Sequence, residues 1–238
     1  MRVLAVIPAR RASTRLPDKM LADLGGEPLV VRTWRRVCAA GFDRTCVATD
    51  DDEIAAVVAR AGGEVCRTGA APNGTVRVAA AAVALGAAVD VVRDVQGDEP
   101  LVEPVTLRAV VEGLGGGGGS PFEIATGAAP GGEREATDPA RVKVVVGAGG
   151  RALYFSRAAV PYGGPYRVHV GVYAFRPDTL QRVAALPEGD LERTERLEQL
   201  RWLAHGVALR VVPVAAPAPS VDTAEDLARV RALLAAAG

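Results

Sequence analysis

Apolar and polar positions in the first half of the chain follow two alternating periods. Short runs of β-branched apolar residues, typical of buried strands, alternate with segments that have apolar residues at helical spacing. These strands and helices are predicted at residues 3–7, 29–39, 45–48, 53–61, 64–66, 77–85 and 89–95. The alternation predicts βαβ units and a parallel sheet. Because ligands of open α/β sheets bind beyond the carboxyl ends of the strands, the loops after Ile7, Ala48 and Val95 are the candidate sites.

The second half of the chain has a strand-rich pattern that begins after a run of glycines. Residues 115–119 are all glycine and predict a flexible linker or an exposed turn. Strand-like segments follow at 123–126, 142–146 and 168–175, and helical patterns at 191–205 and 223–236. We therefore expect an α/β fold with a mixed, mostly parallel sheet that is flanked by helices and has one antiparallel excursion.

The composition argues against several classes of protein. Hydrophobic residues make up 49% of the chain and charged residues 24%, with a formal net charge of zero. These values argue against disorder and against a nucleic-acid-binding surface, which needs a basic excess. The longest apolar stretch, 78–89, is shorter than the roughly 20 residues that span a bilayer, and the charged Arg2 argues against a signal peptide. We expect a cytoplasmic protein that binds neither nucleic acid nor a membrane.

Cysteine and histidine are too few and too scattered to form a metal site. The three cysteines have no CxxC spacing, which argues against both a zinc site and a disulfide framework. The only histidines are His169 and His205. Any metal bound by this chain must therefore use oxygen ligands.

A basic loop follows the first predicted strand. Residues 8–19 include four cations, Arg10, Arg11, Arg15 and Lys19, immediately after the apolar run. Arginine forks suit a triphosphate, which carries about four negative charges. The loop lacks the GxxxxGK[ST] spacing of a Walker A motif, so side chains would hold the phosphates more than a glycine nest would. The charge alone is equally compatible with a solvated basic loop.

An acidic segment follows the strand at 89–95. Asp98 lies in the sequence QGDEP, where a parallel strand delivers residues into the cleft. Magnesium is typically held by one or two carboxylates together with substrate phosphates, so Asp98 is a candidate ligand. Taken alone, the segment is more simply interpreted as a turn or a helix cap before Pro100. Together, a cationic loop and a magnesium-binding carboxylate are the two parts of a phosphoryl-transfer site.

Eight segments occur in one order over essentially the whole chain: IPARRASTRLPDK, VATDDDEIAAVV, VQGDEP, VKVVV, ALYFSRAAVPY, HVGVYAFR, ERLEQLR and SVDTAEDLARV. In this order they resemble the CMP-Kdo synthetases, the 3-deoxy-manno-octulosonate (Kdo) cytidylyltransferases. The resemblance implies a single nucleotidyltransferase domain over 1–238 with a Rossmann-like core and a small dimerisation region, working as a homodimer. Residues 1–114 would bind CTP, 120–210 would bind the acceptor and dimerise, and 211–238 would add a closing strand and a helix.

The resemblance assigns the basic loop to the nucleotide. Arg10, Arg15 and Lys19 would hold the CTP phosphates and act in catalysis, while Pro8 and Ala9 would lie against the cytosine. The segment 73–77 matches a nucleotide-contacting turn that more often reads Ser-Gly-Thr-acidic-Arg. Asn73, Gly74 and Arg77 would therefore bind nucleotide, whereas Asn73 and Val76 depart from the pattern, which leaves the role of position 76 open.

The resemblance also implies two magnesium ligands, Asp98 and Asp222. Without the family, Asp222 is more simply interpreted as a cap of the last helix, because Asp222 and Thr223 are good capping residues and Asp226 adds negative charge to the first turn.

Six residues would contact the acceptor according to the resemblance: Gln96, Arg157, His169, Tyr173, Glu198 and Gln199. Each has a structural alternative as well. Arg157 could be a surface residue, Tyr173 a core residue, and His169 a packed histidine between apolar strand neighbours. Glu198 and Gln199 could belong to a solvated helix face.

The expected reaction transfers CMP from CTP to a small acidic acceptor, with magnesium bound and pyrophosphate released. Kdo is the first acceptor to consider, because every acceptor position is filled. The segment 161–167 looks shorter than its family counterpart, so a small phosphonate is the alternative acceptor. A non-enzymatic nucleotide-binding module is a further alternative, disfavoured by the presence of both aspartates. A Rossmann dehydrogenase is rejected because ARRAST stands where GxGxxG is needed.

Overall fold

The computed structural model describes residues 1–13, 15–86, 88–115, 120–215 and 218–237. The strands run β1 Val3–Pro8, β2 Arg44–Thr49, β3 Glu64–Arg67, β4 Val91–Asp94, β5 Ile124–Gly131, β6 Lys143–Val146, β7 Ala152–Ser156, β8 Tyr166–Phe175 and β9 Leu209–Pro213. The helices run α1 Leu29–Cys38, α2 Asp52–Arg60, α3 Gly74–Ala84, α4 Pro104–Leu114, α5 Glu133–Thr137, α6 Pro177–Ala184, α7 Asp190–Glu195, α8 Gln199–Ala204 and α9 Ala224–Ala237. Most of the predicted glycine linker, 116–119, lies outside the described residues.

Two compact units divide the chain. The first contains Met1–Leu107 together with Ala218–Gly238, and the second contains Arg108–Pro217. The functional division at 1–114, 120–210 and 211–238 stays a prediction. Among the described residues, no helix has both the length and the apolar character needed to cross a membrane.

The first unit is built on the parallel sheet that the alternating pattern predicts. Its strand order is β3-β2-β1-β4, and every pair is parallel. All six residues of β1 are buried, as expected for a central strand covered on both faces. The carboxyl ends of β1, β2 and β4 therefore meet at one edge, where the loops identified from the sequence lie.

The second unit is mixed, which confirms the expected antiparallel excursion. β8 pairs antiparallel with β5, and β5 pairs in parallel with β9. β6 and β7 form an antiparallel pair, and β6 also pairs with β8 through Lys143 and Val168. Around β8, an aromatic cluster forms part of the core of this unit: Phe155, His169, Tyr173, Phe175 and Trp202.

One long predicted helix is interrupted in the structure. The apolar pattern over 191–205 predicts continuous helix, but α7 ends at Glu195 and α8 begins at Gln199. Between them Arg196 has left-handed backbone angles, φ 54° and ψ 48°, and the N–H of Leu197 donates to the carbonyl of Glu192. The left-handed residue is a typical helix C-terminus and redirects the chain, although the apolar spacing continues across it.

Candidate active site

A polar pocket of about 230 Å³ opens at the carboxyl ends of β1 and β4. All of its lining residues belong to the first unit. They come from the first loop, the start of α3, the loop after β4 and the segment before α9: Pro8, Ala9, Arg10, Ala12, Ser13, Arg15, Lys19, Met20, Ala71, Asn73, Gly74, Arg77, Gln96, Gly97, Asp98 and Asp222. The structure thus brings together every residue predicted to bind nucleotide or metal. Their individual roles stay predictions.

In the basic loop one arginine holds the loop in place and the other three cations line the pocket. Arg11 donates to Asp18 and to Glu53 at the start of α2, which anchors the loop from outside the pocket. The hydrogen bond to Glu53, followed in size by that to Asp18, raises the pKa of the Arg11 guanidinium. Arg10 lines the pocket and has no carboxylate partner among the described residues. Its charge is therefore available to a ligand anion.

Lys19 lies between the two aspartates predicted to bind magnesium. Its Nζ donates to Asp98 Oδ2 at 2.7 Å and to Asp222 Oδ1 at 3.0 Å. The Lys19 side chain is only 9% exposed, against 24% for Asp98 and 38% for Asp222. Burial alone would lower the pKa of Lys19, but the attraction and hydrogen bonds of Asp98 and Asp222 outweigh burial and raise it. The ammonium group is therefore firmly protonated at neutral pH.

Backbone contacts hold the two aspartate segments side by side. The N–H of Val221 donates to the carbonyl of Asp98 at 3.0 Å. The helix-capping contacts beside Asp222 are made by Thr223 and Asp226, because the Asp226 carboxylate accepts the N–H groups of residues 222 and 223 while Thr223 Oγ1 accepts that of Asp226. The carboxylate of Asp222 is thereby left to face Lys19, with Arg15 at 3.4 Å. Interpreting Asp222 as the helix cap is wrong.

The donor set fits magnesium. Asp98 and Asp222 direct carboxylate oxygens at one positive charge, which is here the Lys19 ammonium. Magnesium prefers oxygen ligands and takes one or two carboxylates together with substrate phosphates and water, so two carboxylates beside a cationic pocket suffice. Among the described residues, no group of three or more His, Cys, Asp or Glu side chains could hold a metal ion.

The start of α3 forms another wall of the pocket. Asn73 caps the helix, since its Oδ1 accepts the N–H of Val76 at 2.9 Å. Arg77 is buried and donates to Thr68 Oγ1 at 2.7 Å while pairing with Asp50 at 3.1 Å. Burial would raise the pKa of Asp50, but its hydrogen bond from Arg77 makes the net shift downward. Asn73 therefore has a structural function in place of the more usual serine, and Arg77 joins this wall to the end of β2.

Gln96 and Gly97 lie in the loop after β4. Gln96 lines the pocket, so this predicted acceptor residue lies beside the predicted nucleotide residues. A Cβ on Gly97 would lie 2.9 Å from Met20 Sδ and 3.1 Å from the carbonyl oxygen of Pro8. Glycine is required here because the loop after β4 packs directly on the first loop.

The other five residues predicted to contact the acceptor lie in the second unit. The Arg157 guanidinium donates to the backbone carbonyls of Glu195 at 2.8 Å and Pro139 at 2.9 Å. Glu198 immediately precedes α8 and pairs with Arg201 at 3.4 Å, while Gln199 is buried. In these contacts the Arg157 guanidinium is held by backbone carbonyl groups and not by a carboxylate.

His169 and Tyr173 belong to the aromatic cluster. The His169 ring lies 4.9 Å from Phe155 and 5.5 Å from Tyr173, and its Nε2 is 2.8 Å from Thr126 Oγ1. The residue is half-buried among these rings, and burial lowers the pKa of His169 to about 3. The imidazole is neutral at physiological pH, which supports packing and hydrogen bonding more than charge recognition of an acid.

Sequence reasoning missed several parts of the pocket. Ser13 and Ala71 line it, although nothing in their spacing indicates a role. Asp94 is a buried acid at the end of β4 and contacts Gln96. The two charged residues that end the apolar run of β4, Arg93 and Asp94, are a signal of buried charge, although they do not indicate the contact of Asp94 with Gln96.

The chain is similar to cytidylyltransferases over nearly its whole length. The family described as "Cytidylyltransferase" matches residues 4–209. A 3-deoxy-manno-octulosonate cytidylyltransferase from Anaeromyxobacter dehalogenans (strain 2CP-C) is 47% identical over 98% of each chain. The enzyme of that name from Yersinia pseudotuberculosis serotype O:1b (strain IP 31758) is 44% identical over 98% of this chain and 99% of its own.

The fold is also similar to that of a cytidylyltransferase. The structure of a CMP:2-keto-3-deoxy-manno-octonic acid synthetase complexed with CTP superposes with a TM-score of 0.92 at 37% sequence identity, covering 100% of both chains. Family, relatives and fold agree with the pocket geometry, and the chain accordingly belongs to the cytidylyltransferase family and, within it, to the 3-deoxy-manno-octulosonate cytidylyltransferases.

Proposed function

We propose that this chain transfers CMP from CTP to Kdo and releases pyrophosphate. The observation that carries the proposal is the convergence of Lys19, Asp98 and Asp222 in one pocket, although residues 19 and 222 are 203 positions apart. The names of the relatives support the same nucleotide and acceptor. Its working form is a homodimer in the cytoplasm, as expected from the sequence and the family resemblance.

The reaction needs an acceptor oxygen to attack the α-phosphorus of CTP in line. A new oxygen–phosphorus bond forms, the bond from the α-phosphorus to the bridging oxygen of the β-phosphate breaks, and pyrophosphate carries that electron pair away. The acceptor hydroxyl loses its proton in the same overall step. No covalent intermediate on the protein is needed, so catalysis consists of positioning and charge stabilisation.

The residues of the pocket divide this work. Arg10 and Arg15 offer positive charge to the β- and γ-phosphates, where negative charge accumulates as pyrophosphate departs. Lys19 adds a third positive charge at the boundary between the phosphates and the two carboxylates. Asp98 and Asp222 would hold magnesium, which when bound lowers the pKa of the acceptor oxygen and neutralises charge on the α-phosphate. Lys19 must then release at least one carboxylate oxygen.

The direct test is to identify the CMP conjugate. The protein is incubated with CTP and magnesium, and Kdo or a panel of small phosphonates is offered as acceptor, with mass spectrometry of the product. A CMP–Kdo product supports the proposal, and a CMP–phosphonate product without CMP–Kdo replaces the acceptor. No conjugate with either acceptor refutes the acceptor class and leaves cytidylyl transfer to another acceptor open.

Site variants test the assigned chemistry. Asp98→Asn and Asp222→Asn should each lower kcat at least ~100-fold, since loss of one such charge contact typically costs about 2.7 to 4 kcal/mol of transition-state stabilisation. Asp178→Asn, at an exposed aspartate of α6 in the second unit, is the matched control and should keep normal turnover. Near-normal turnover of Asp98→Asn at saturating CTP and magnesium would contradict the site.

A further inference from the structure

Gln96 is held in the pocket by a buried acid that does not line the pocket itself. Asp94 is 2% exposed, and its two carboxylate oxygens accept hydrogen bonds from Gln96 Nε2 at 2.9 and 3.1 Å. Gln96 lines the pocket, whereas Asp94 is absent from its walls. Gln96 is therefore a direct link between Asp94 and a ligand in the pocket.

The chemistry of a carboxylate fixes the orientation of the amide. An ionised carboxylate accepts hydrogen bonds and donates none, so the NH2 end of Gln96 must face Asp94. The carbonyl end, Oε1, is then directed elsewhere. The hydrogen bonds described for the Gln96 amide both leave from Nε2, and the residue lines the pocket, so Oε1 is the end of the amide left for a ligand. Gln96 thus presents a hydrogen-bond acceptor to a ligand.

Gly74 restricts this arrangement further. A Cβ at Gly74 would lie 3.0 Å from Gln96 Nε2 and 3.1 Å from Oε1, so the amide rests directly against the backbone at the start of α3. The side chain is held by Asp94 at its nitrogen and by Gly74 along its side. Little freedom remains for the amide to turn without losing the contact with Asp94.

We propose that Asp94 is a positioning residue that orients Gln96 to accept a hydrogen bond from a hydroxyl group of the acceptor substrate. The inference rests on the proposed function and deepens it by naming what Gln96 recognises. A carboxylate or phosphonate oxygen on the substrate would oppose Oε1 with another acceptor, whereas a hydroxyl group donates to it. The arrangement accordingly favours a polyhydroxylated sugar acid over a small phosphonate that lacks hydroxyl groups.

The test replaces the Asp94 carboxylate by an amide of the same shape, which no longer fixes the orientation of the Gln96 amide. In Asp94→Asn the new amide can both donate and accept, so Gln96 is free to present either end to the pocket. We expect KM for Kdo to rise about three- to tenfold, as for the loss of one neutral hydrogen bond. KM for CTP and kcat at saturating Kdo should stay within about twofold of the wild type, a split that general loss of structure would not produce.

A double-mutant comparison separates action through Gln96 from other effects. In a Gln96→Leu background, Asp94→Asn should cause no further rise in KM for Kdo, because the group that it orients is gone. A full additional rise in that background overturns the proposal, as does an unchanged KM for Kdo in Asp94→Asn alone. An increase in KM for CTP instead of Kdo also overturns it, because the hydroxyl would then belong to the nucleotide.

A paired variant controls for unfolding, and the wild-type product separates this inference from the proposed function. Arg93, adjacent on β4, is attracted by the charge of Asp94, so Asp94→Asn could unfold the chain. The paired variant Arg93→Met with Asp94→Asn removes both charges and is compared with Arg93→Met alone, with the same expected change in KM for Kdo. If the wild type makes no CMP–Kdo, the proposed function and this inference fall together. If the wild type makes CMP–Kdo and the variants do not differ, only this inference falls.

Discussion

Replacing Lys19 with methionine tests the three-residue cluster in the absence of any substrate. Methionine keeps an unbranched side chain of similar length and removes the ammonium group that contacts Asp98 at 2.7 Å and Asp222 at 3.0 Å. The two carboxylates would then face each other without the cation between them. We expect Lys19→Met to lower the free energy of unfolding at neutral pH.

The contacts of Lys19 set the size of the effect. A hydrogen bond to a charged group typically contributes about 1.5–3 kcal/mol, and the mostly buried contact with Asp98 falls within that range. The contact with Asp222 counts for less, because that side chain is 38% exposed and solvent screens it. Methionine also removes the cost of burying a charge, so we expect a net loss of about 1.5–3 kcal/mol, equivalent to a decrease in Tm of about 3–12 °C.

Thermal melts with and without magnesium measure the effect and identify its cause. In a chelator, Lys19→Met should melt below the wild type. Millimolar magnesium should raise the Tm of the variant more than that of the wild type, because a cation can then occupy the place of the ammonium group between the carboxylates. The raised pKa of Lys19 adds a second signature: its stabilisation is complete below the unfolded pKa of about 10.4 and is lost as pH rises through the folded value.

Arg15→Met is the matched control, because Arg15 lies on the same loop, is 67% exposed and is 3.4 Å from Asp222. Arg15→Met should lower the free energy of unfolding by less than about 1 kcal/mol, as expected of an exposed ion pair. Equal melting of Lys19→Met and wild type in chelator, with equal responses to magnesium, would refute the reasoning.

Two further predictions concern buried groups that titrate or lack partners. Native His169 stays neutral down to about pH 3, whereas the unfolded chain binds a proton below about pH 6.5, so this residue stabilises the fold above pH 6.5 and progressively less as pH falls. Between pH 7 and pH 4.5, the free energy of unfolding should therefore fall by about 2–3 kcal/mol less in His169→Gln than in the wild type, and thermal melts at the two pH values measure the difference. Equal decreases in Tm for the two proteins would contradict a neutral ring. Arg93 is fully buried, its guanidinium nitrogens have no acceptor among the described residues, and burial lowers its pKa to about 9. Asp94 beside it is also buried, so the variant that carries both Arg93→Met and Asp94→Asn removes both charges and should have a Tm several degrees above that of Arg93→Met alone, which leaves Asp94 without its counter-charge. An equal or lower Tm of the paired variant would contradict the attraction between Arg93 and Asp94.

The sequence predicted the parallel sheet because its signal is local. β1 and β2 are short β-branched runs, and their period does not depend on the rest of the fold. The loops at their carboxyl ends follow from topology, so the basic loop and Asp98 could be placed in one pocket. The break between α7 and α8 could not be predicted in this way, because the left-handed conformation of Arg196 comes with no glycine or asparagine to mark it.

The pairing of Asp98 with Asp222 required information beyond local pattern. Near α9, the residues at 222 and 223 both satisfy capping preferences, and only the observed contacts show that Thr223 and Asp226 perform that function. The resemblance identified Asp222 because it carries long-range information that residue spacing lacks. The contact of Asp94 with Gln96 was not predicted, because it depends on the orientation of a neighbouring amide, which no sequence pattern encodes.

The backbone hydrogen bond from Val221 to Asp98 has a consequence for the order in which the site is assembled. Ribosomes make the basic loop and Asp98 early, while Asp222 emerges only after the whole second unit has been synthesised. A nascent chain that stops before residue 218 would carry the basic loop with only one of the two carboxylates proposed to hold magnesium. Such a chain could retain nucleotide without being able to turn it over, so cytidylyl transfer starts only once the segment at 218–238 has docked.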